Sequence, residues 1–118
     1  MRYRRQETFR YILPTPRFIP YRLIWEDKEL HDGEAQLLNI SAHGLKMRCD
    51  YLFPLSEGLK VQVKLDLVPL IQPLDVTGHV RHRGQMGSYY DYGILLETNS
   101  DETQQLVTMI KAYARENQ

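Results

Sequence analysis

The sequence predicts a mainly β domain, a small antiparallel barrel or sandwich followed by one C-terminal helix. Three observations carry that reading. Val61, Val63, Leu65 and Leu67 alternate with Gln62, Lys64 and Asp66, the period of two that marks a half-buried strand. Turn signals recur at short intervals between several other apolar segments, as in barrels and sandwiches. Only the last stretch changes period: Leu106, Met109, Ile110 and Tyr113 recur at spacings of three and four, which places them on one face of an amphipathic helix. The 118 residues provide for one core and one domain.

The elements follow in order. Residues 1–16 read as a basic arm, because Pro14 and Pro16 disfavour both helix and central strand. Such an arm is expected to lie extended over the domain formed by residues 17–118. Arg17 to Trp25 is rich in strand formers, with Pro20 marking an edge or bend. The polar run Glu26 to Glu29 fits a solvated hairpin region, and His31-Asp32-Gly33 reads as a turn. Glu34 to Ile40 is the next strand, Ser41 to Gly44 a short turn, and Leu45 to Cys49 another strand. Pro54 to Gly58 reads as a loop before the alternating strand at Val61 to Leu67. Val76, Gly78 and Val80 then alternate with Thr77, His79 and Arg81. Gly84 to Gly87 reads as a turn, and Tyr89 to Glu97 as the last strand. Asn99 or Ser100 can cap a helix over about residues 100–115, with Asp101 and Glu102 in the first turn where carboxylates suit the helix dipole.

Charge is balanced overall, with 15 basic and 15 acidic residues, but not evenly placed. Residues 1–25 hold six arginines against the single acid Glu7, a charge of +5, and the remainder carries −5. This asymmetry points to an anion handled near the N-terminus. No apolar run approaches the ~18 residues of a membrane span, and the arginine-rich start lacks the apolar stretch of a signal peptide. The expectation is a cytoplasmic protein with no membrane insertion. Cys49 is the sole cysteine, which excludes an internal disulfide and reads as a buried thiol.

The sequence holds no phosphate-binding P-loop and no dinucleotide fingerprint. Ser41 and His43 lie in a turn with no nucleophile elbow and no acid at a useful spacing. No enzyme is expected. His79 and His82 have a separation found among some metal ligands, but no cysteine or third histidine is near, so no metal is expected either. Arg81 and Arg83 read as surface residues, and Tyr89, Tyr90 and Tyr92 as core and rim.

Two local patterns carry the functional reading. One is Arg4-Arg5-Gln6-Glu7-Thr8-Phe9-Arg10; the other is Asn39-Ile40-Ser41-Ala42-His43-Gly44. In this order and about 30 residues apart, they resemble the paired signature of the PilZ family, an RxxxR segment followed by (D/N)xSxxG. Val76 to Arg81, Tyr92 to Leu96 and the terminal helix continue the likeness over nearly the whole chain. The resemblance implies a six-stranded antiparallel β-barrel with a C-terminal α-helix, the PilZ-like split barrel. It also implies a bacterial receptor for the second messenger cyclic di-GMP. The implied site is Arg4, Arg5 and Arg10 for phosphates and guanine, with Asn39, Ser41 and Gly44 completing the pocket. Ligand binding would order the arm and change the surface offered to a protein partner, with no cofactor used and a homodimer left open. Arg5 and Arg10 have four residues between them where the family has three, so a PilZ-like adaptor that binds protein and no nucleotide is the alternative. A barrel for single-stranded nucleic acid is a third reading, but the neutral net charge argues against DNA or RNA.

Overall fold

The computed structural model describes residues 10–117. Arg4 and Arg5 therefore lie outside the described residues. Six strands precede one helix: β1 (Arg10–Trp25), β2 (Lys28–Ser41), β3 (Gly44–Cys49), β4 (Lys60–Leu65), β5 (Leu74–Met86), β6 (Tyr89–Glu97) and α1 (Ser100–Glu116). All pairings are antiparallel, and the order β1-β2-β3-β6-β5-β4 closes on itself through β1 and β4. The expected six-stranded barrel with a C-terminal helix is what the chain forms.

Alternation along each strand sends one set of side chains inward. Leu23, Leu37, Met47, Val61, Leu65 and Tyr92 are completely buried there. The helix covers part of the barrel with Leu106, Met109, Ile110 and Tyr113, the four residues picked out by their spacing. Its start is fixed by a capping box: Glu102 N–H donates to Asn99 Oδ1 at 2.8 Å, and Asn99 N–H donates to Glu102 Oε1 at 3.1 Å. Two backbone donors at the helix start are satisfied in this way.

Besides β4, which ends at Leu65 rather than Leu67, three element bounds differ from the sequence reading. First, β1 begins at Arg10 rather than Arg17. The prolines are accommodated in a wide bulge: Ile12 faces Asn39 and Arg17 faces Leu37, so residues 13–16 stand against Leu38 alone. A bulge leaves backbone donors unpaired, which suits residues lacking an N–H. Second, His31-Asp32-Gly33 is not a turn but part of β2, facing Leu23, Arg22 and Tyr21. A β-carbon on Gly33 would stand 3.2 Å from the Tyr21 hydroxyl, so the small residue makes room for a cross-strand ring. The chain reverses at Glu26-Asp27, inside the run read as a solvated hairpin region; both residues have positive φ (52° and 64°), the geometry of a two-residue type I′ turn. Third, β5 continues through Gly84 to Met86, leaving only Gly87-Ser88 as the turn into β6.

Candidate functional site

The outer face of the wall β1-β2-β3-β6-β5 carries the candidate site. Residues directly opposite one another in antiparallel strands share a face. Ile12, Asn39, Lys46, Gly93 and His82 are successive partners across these five strands and so form one row. Arg48, Asp91 and Gly84 form the neighbouring row. Gly93, having no side chain, leaves a depression in the middle of the first row, and the His82 ring lies over it: a β-carbon there would stand 2.6 Å from His82 Cδ2. Asn39, Lys46, Gly93 and His82 of the first row, with Asp91 and Gly84 of the second, floor an open cleft of about 650 Å³.

Arg10 stands at one side of this cleft. Its guanidinium donates a hydrogen bond to Asn39 Oδ1, joining the start of β1 to the end of β2. The bond orients a planar fork of donors, and it is the one side-chain bond that Arg10 makes among the described residues. Gly44, at the start of β3, completes this corner. A β-carbon at Gly44 would lie 3.0 Å from the Ile94 carbonyl, so glycine permits the close approach of β3 to β6 beside Arg10.

Ser41 is placed differently from a ligand-facing residue. It is wholly buried, its hydroxyl donates to the Gly44 carbonyl at 3.3 Å, and the His43 N–H donates back to it at 3.4 Å. Such local side-chain to backbone bonds replace ladder bonds where a strand ends. Ser41 thus shapes the turn that holds Asn39 and Gly44. Of the six residues expected from sequence, Arg10, Asn39 and Gly44 line the cleft, Ser41 supports it from beneath, and Arg4 and Arg5 lie outside the described residues.

The electrostatics of the cleft are one-sided. Arg10, Lys46 and Arg81 line it, with His43 and His82, Arg83 borders it from the face of its partner Tyr92, and Asp91 is the sole acid among the described lining residues. That acid is already engaged. Arg48 grips it in a fork, Nε to Oδ1 at 2.6 Å and Nη2 to Oδ2 at 3.0 Å. Lys46 Nζ stands 3.9 Å from Oδ2. The hydrogen bonds from Arg48 hold the Asp91 carboxyl below its ordinary range against the opposing effect of burial, with the charges of Arg48 and Lys46 adding to the depression. Asp91 raises Arg48 in return. A neutral protein therefore presents a cleft of net positive charge, which concentrates anions.

Sequence reasoning missed Lys46, Asp91 and His82, and assigned Arg81 and Arg83 to the general surface. Arg81 sits at the irregularity between Val80 and His82, where β5 slips relative to β6; bulges of this kind re-aim side chains. The available signal was the dense run His79 to Arg83, which holds four basic or titratable side chains in five residues. Among the described residues no three metal-ligating side chains converge, and none of the described helix is long and apolar enough to cross a membrane.

Comparison with known proteins decides the family. The model of the PilZ domain matches residues 3–112. The chain belongs to the PilZ domain family. Among solved structures, this PilZ chain is similar to the Bacillus subtilis inhibitor of motility MotI/DgrA, with a TM-score of 0.64 and 16% identity over 98% of this chain and 54% of that one. It is also similar to K. pneumonia MrkH in its apo state, with a TM-score of 0.65 and 12% identity over the same shares of the two chains. The PilZ chain spans about half the length of either protein, and at such identities the likeness is one of fold. Comparison with curated proteins returns no match. The PilZ family is one of cyclic di-GMP receptors and adaptors.

Proposed function

We propose that the cleft is a receptor site for cyclic di-GMP and that the protein is a non-catalytic signalling module of the cytoplasm. The observation that carries this reading is the Arg10 guanidinium, fixed by Asn39 beside Gly44 at a cleft whose other charges are cationic. Cyclic di-GMP offers two phosphates and two guanines. An arginine fork pairs with phosphate in a bidentate manner and also donates to the O6 and N7 edge of guanine. Arg10 and Asn39 serve those edges, Lys46 and Arg81 supply positive field, and Gly44 keeps the approach open. Arg4 and Arg5 close over the nucleotide from the arm. Ser41 acts through the turn and makes no direct contact. Charge-assisted hydrogen bonds contribute roughly 1.5–3 kcal/mol each, so three or four of them reach the ~8 kcal/mol of a micromolar complex. Occupancy then changes the surface offered to a protein partner, with no bond made or broken and no nucleic acid involved.

One observation favours a second reading, an adaptor that binds protein without nucleotide: the four residues between Arg5 and Arg10 where the family has three. Calorimetric titration of cyclic di-GMP into the protein separates the two, with GTP as control and Arg10→Ala beside the wild type. The receptor reading expects saturable binding near a micromolar constant, absent for GTP and weakened about tenfold or more in the variant. No heat at ~100 μM protein, far above such a constant, sinks it in favour of the adaptor.

A further inference from the structure

β5 runs from Leu74 to Met86, but β4 pairs with its first part alone, from Leu65↔Leu74 to Val61↔Gly78. β6 accompanies β5 on the other side to Met86↔Tyr89. Beyond the end of β4, no strand among the described residues pairs the outer edge of β5. All of Arg81 to Met86 is exposed. The hairpin closes through the two residues Gly87-Ser88, so Met86, Gly84 and His82 direct their backbone bonds to β6. Arg83 and Gln85 direct theirs away from it, leaving two N–H donors and two carbonyl acceptors facing outward.

β1 has a comparable open stretch, since β4 pairs only Tyr21 to Ile24 of it. There the edge is guarded. Pro14, Pro16 and Pro20 remove donors, and Arg17 reaches across to the carbonyls of Asp66 and Leu67 at 3.1 and 3.3 Å. Proline and cover are the usual means of preventing unwanted strand addition. β5 contains no proline. Its guards are the charges of Arg81 and Arg83, flanked by His79 and His82, with no acid anywhere between Thr77 and Met86. Such charges discriminate by sign. A second copy aligned antiparallel about Arg83 would set cation against cation, which is destabilising, whereas an acidic strand would be matched.

We infer that the outer edge of β5, centred on Arg83 and Gln85, is a strand-addition site for an extended acidic segment of a partner protein. Main-chain bonds supply the attachment and the arginines supply the choice of sign, the division of labour found wherever a peptide extends a sheet. The site stands whether or not the cleft takes a nucleotide.

The test uses a fluorescein-labelled ten-residue peptide of alternating Glu and Val, read by fluorescence anisotropy against the full chain. Three comparisons accompany it: a Lys-Val peptide, the Glu-Val peptide N-methylated at alternate residues, and the protein variants Gln85→Pro and Arg83→Glu, checked by circular dichroism. Saturable binding of the Glu-Val peptide is expected, at least about tenfold weaker for the Lys-Val and N-methylated peptides and for Gln85→Pro. Arg83→Glu, which leaves the backbone unchanged, should weaken the acidic peptide and favour the basic one. Hydrogen exchange should find the Arg83 and Gln85 amides fast in the free protein and slowed by the Glu-Val peptide. The inference is overturned if the Glu-Val peptide does not bind, or if N-methylation leaves binding unchanged, which would make the contact one of charge alone. It is also overturned if those two amides are already protected in the free chain, since the edge would then be covered by the chain itself.

Discussion

Asp91 and Tyr92 are neighbours in β6, yet they belong to opposite faces of one wall and to different economies of contact. Tyr92 points inward and is wholly buried. Its ring stacks on Phe53 with centroids 3.8 Å apart and planes inclined by 6°. Its hydroxyl accepts from the Phe53 N–H at 2.8 Å and donates to the Tyr51 carbonyl at 3.0 Å. Every polar capacity there is spent on the chain itself. Asp91 points outward into two cations, at the floor of a cleft with room for a guest. The difference teaches that a single strand can carry stability on one set of alternate residues and recognition on the other, so substitutions one position apart should act on different measurements.

The largest effect tests the inner face. Tyr92→Ala should lower the unfolding free energy by about 3–5 kcal/mol, the loss of a stacked aromatic and the cavity it leaves. Urea titration measures this. Tyr92→Phe isolates the hydroxyl and should cost about 1–2 kcal/mol, because the Phe53 N–H loses its acceptor. If either variant kept full stability, the two faces would not differ as described.

Asp91→Asn comes next, with about 1–3 kcal/mol lost at neutral pH through weakened bonds to Arg48. Here the sign of a pH effect can be worked out. The folded carboxyl titrates below its ordinary value, so the unfolded state takes up its proton first. The stabilisation is complete above the unfolded value of about 3.9 and fades as pH falls toward and through the folded one. Unfolding curves collected from pH 6 downward should therefore have a steeper acid limb in the wild type than in Asp91→Asn.

Arg10→Ala sharpens the comparison from the other side. Its side chain is exposed and bonds only to Asn39 among the described residues. Unfolding should move by no more than about 0.5 kcal/mol, while affinity for cyclic di-GMP falls about tenfold or more. The smallest effect belongs to Gly93→Ala. The new methyl would meet the edge of the His82 ring, a side chain free to swing away, so stability should change by less than about 1 kcal/mol. A larger loss would mean that the His82 ring is held in place over the cleft floor.

Much of the fold was legible because it depends on local pattern. The alternation in β4, the spacing in α1 and its cap at Asn99 are properties of short windows of sequence. The hairpin region between β1 and β2 was read where it lies, at Glu26 to Glu29, but a second turn was read at His31 to Gly33 because Gly33 carries the same letter whether it turns the chain or yields to the Tyr21 ring, and that ring is a cross-strand partner. Glu26 and Asp27 carry no glycine to announce a left-handed turn. The site divides along the same line. Asn39, Ser41 and Gly44 lie within six residues and could be read together. Lys46, Asp91 and His82 meet only through the pairing of β3, β6 and β5, and a contact between positions 48 and 91 leaves no trace in a local pattern. Ser41 was recognised as part of the motif, but its burial, and hence its role in the turn, depends on the finished barrel.

The bulge in β1 also has a bearing on how this chain can vary. Residues 13–16 face Leu38 alone, so beyond the buried Leu13 residues 14–16 form a length of slack between two separately registered halves of one strand. Downstream, Tyr21 and Leu23 are clamped between β2 and β4. Upstream, Arg10 is set by its alignment with Ser41. A residue gained or lost within the slack is taken up by the loop of chain between them, without sliding either half along its neighbour. Spacing between the two halves of β1 is thus a tunable dimension of the molecule, one that can change while the barrel behind it keeps its register.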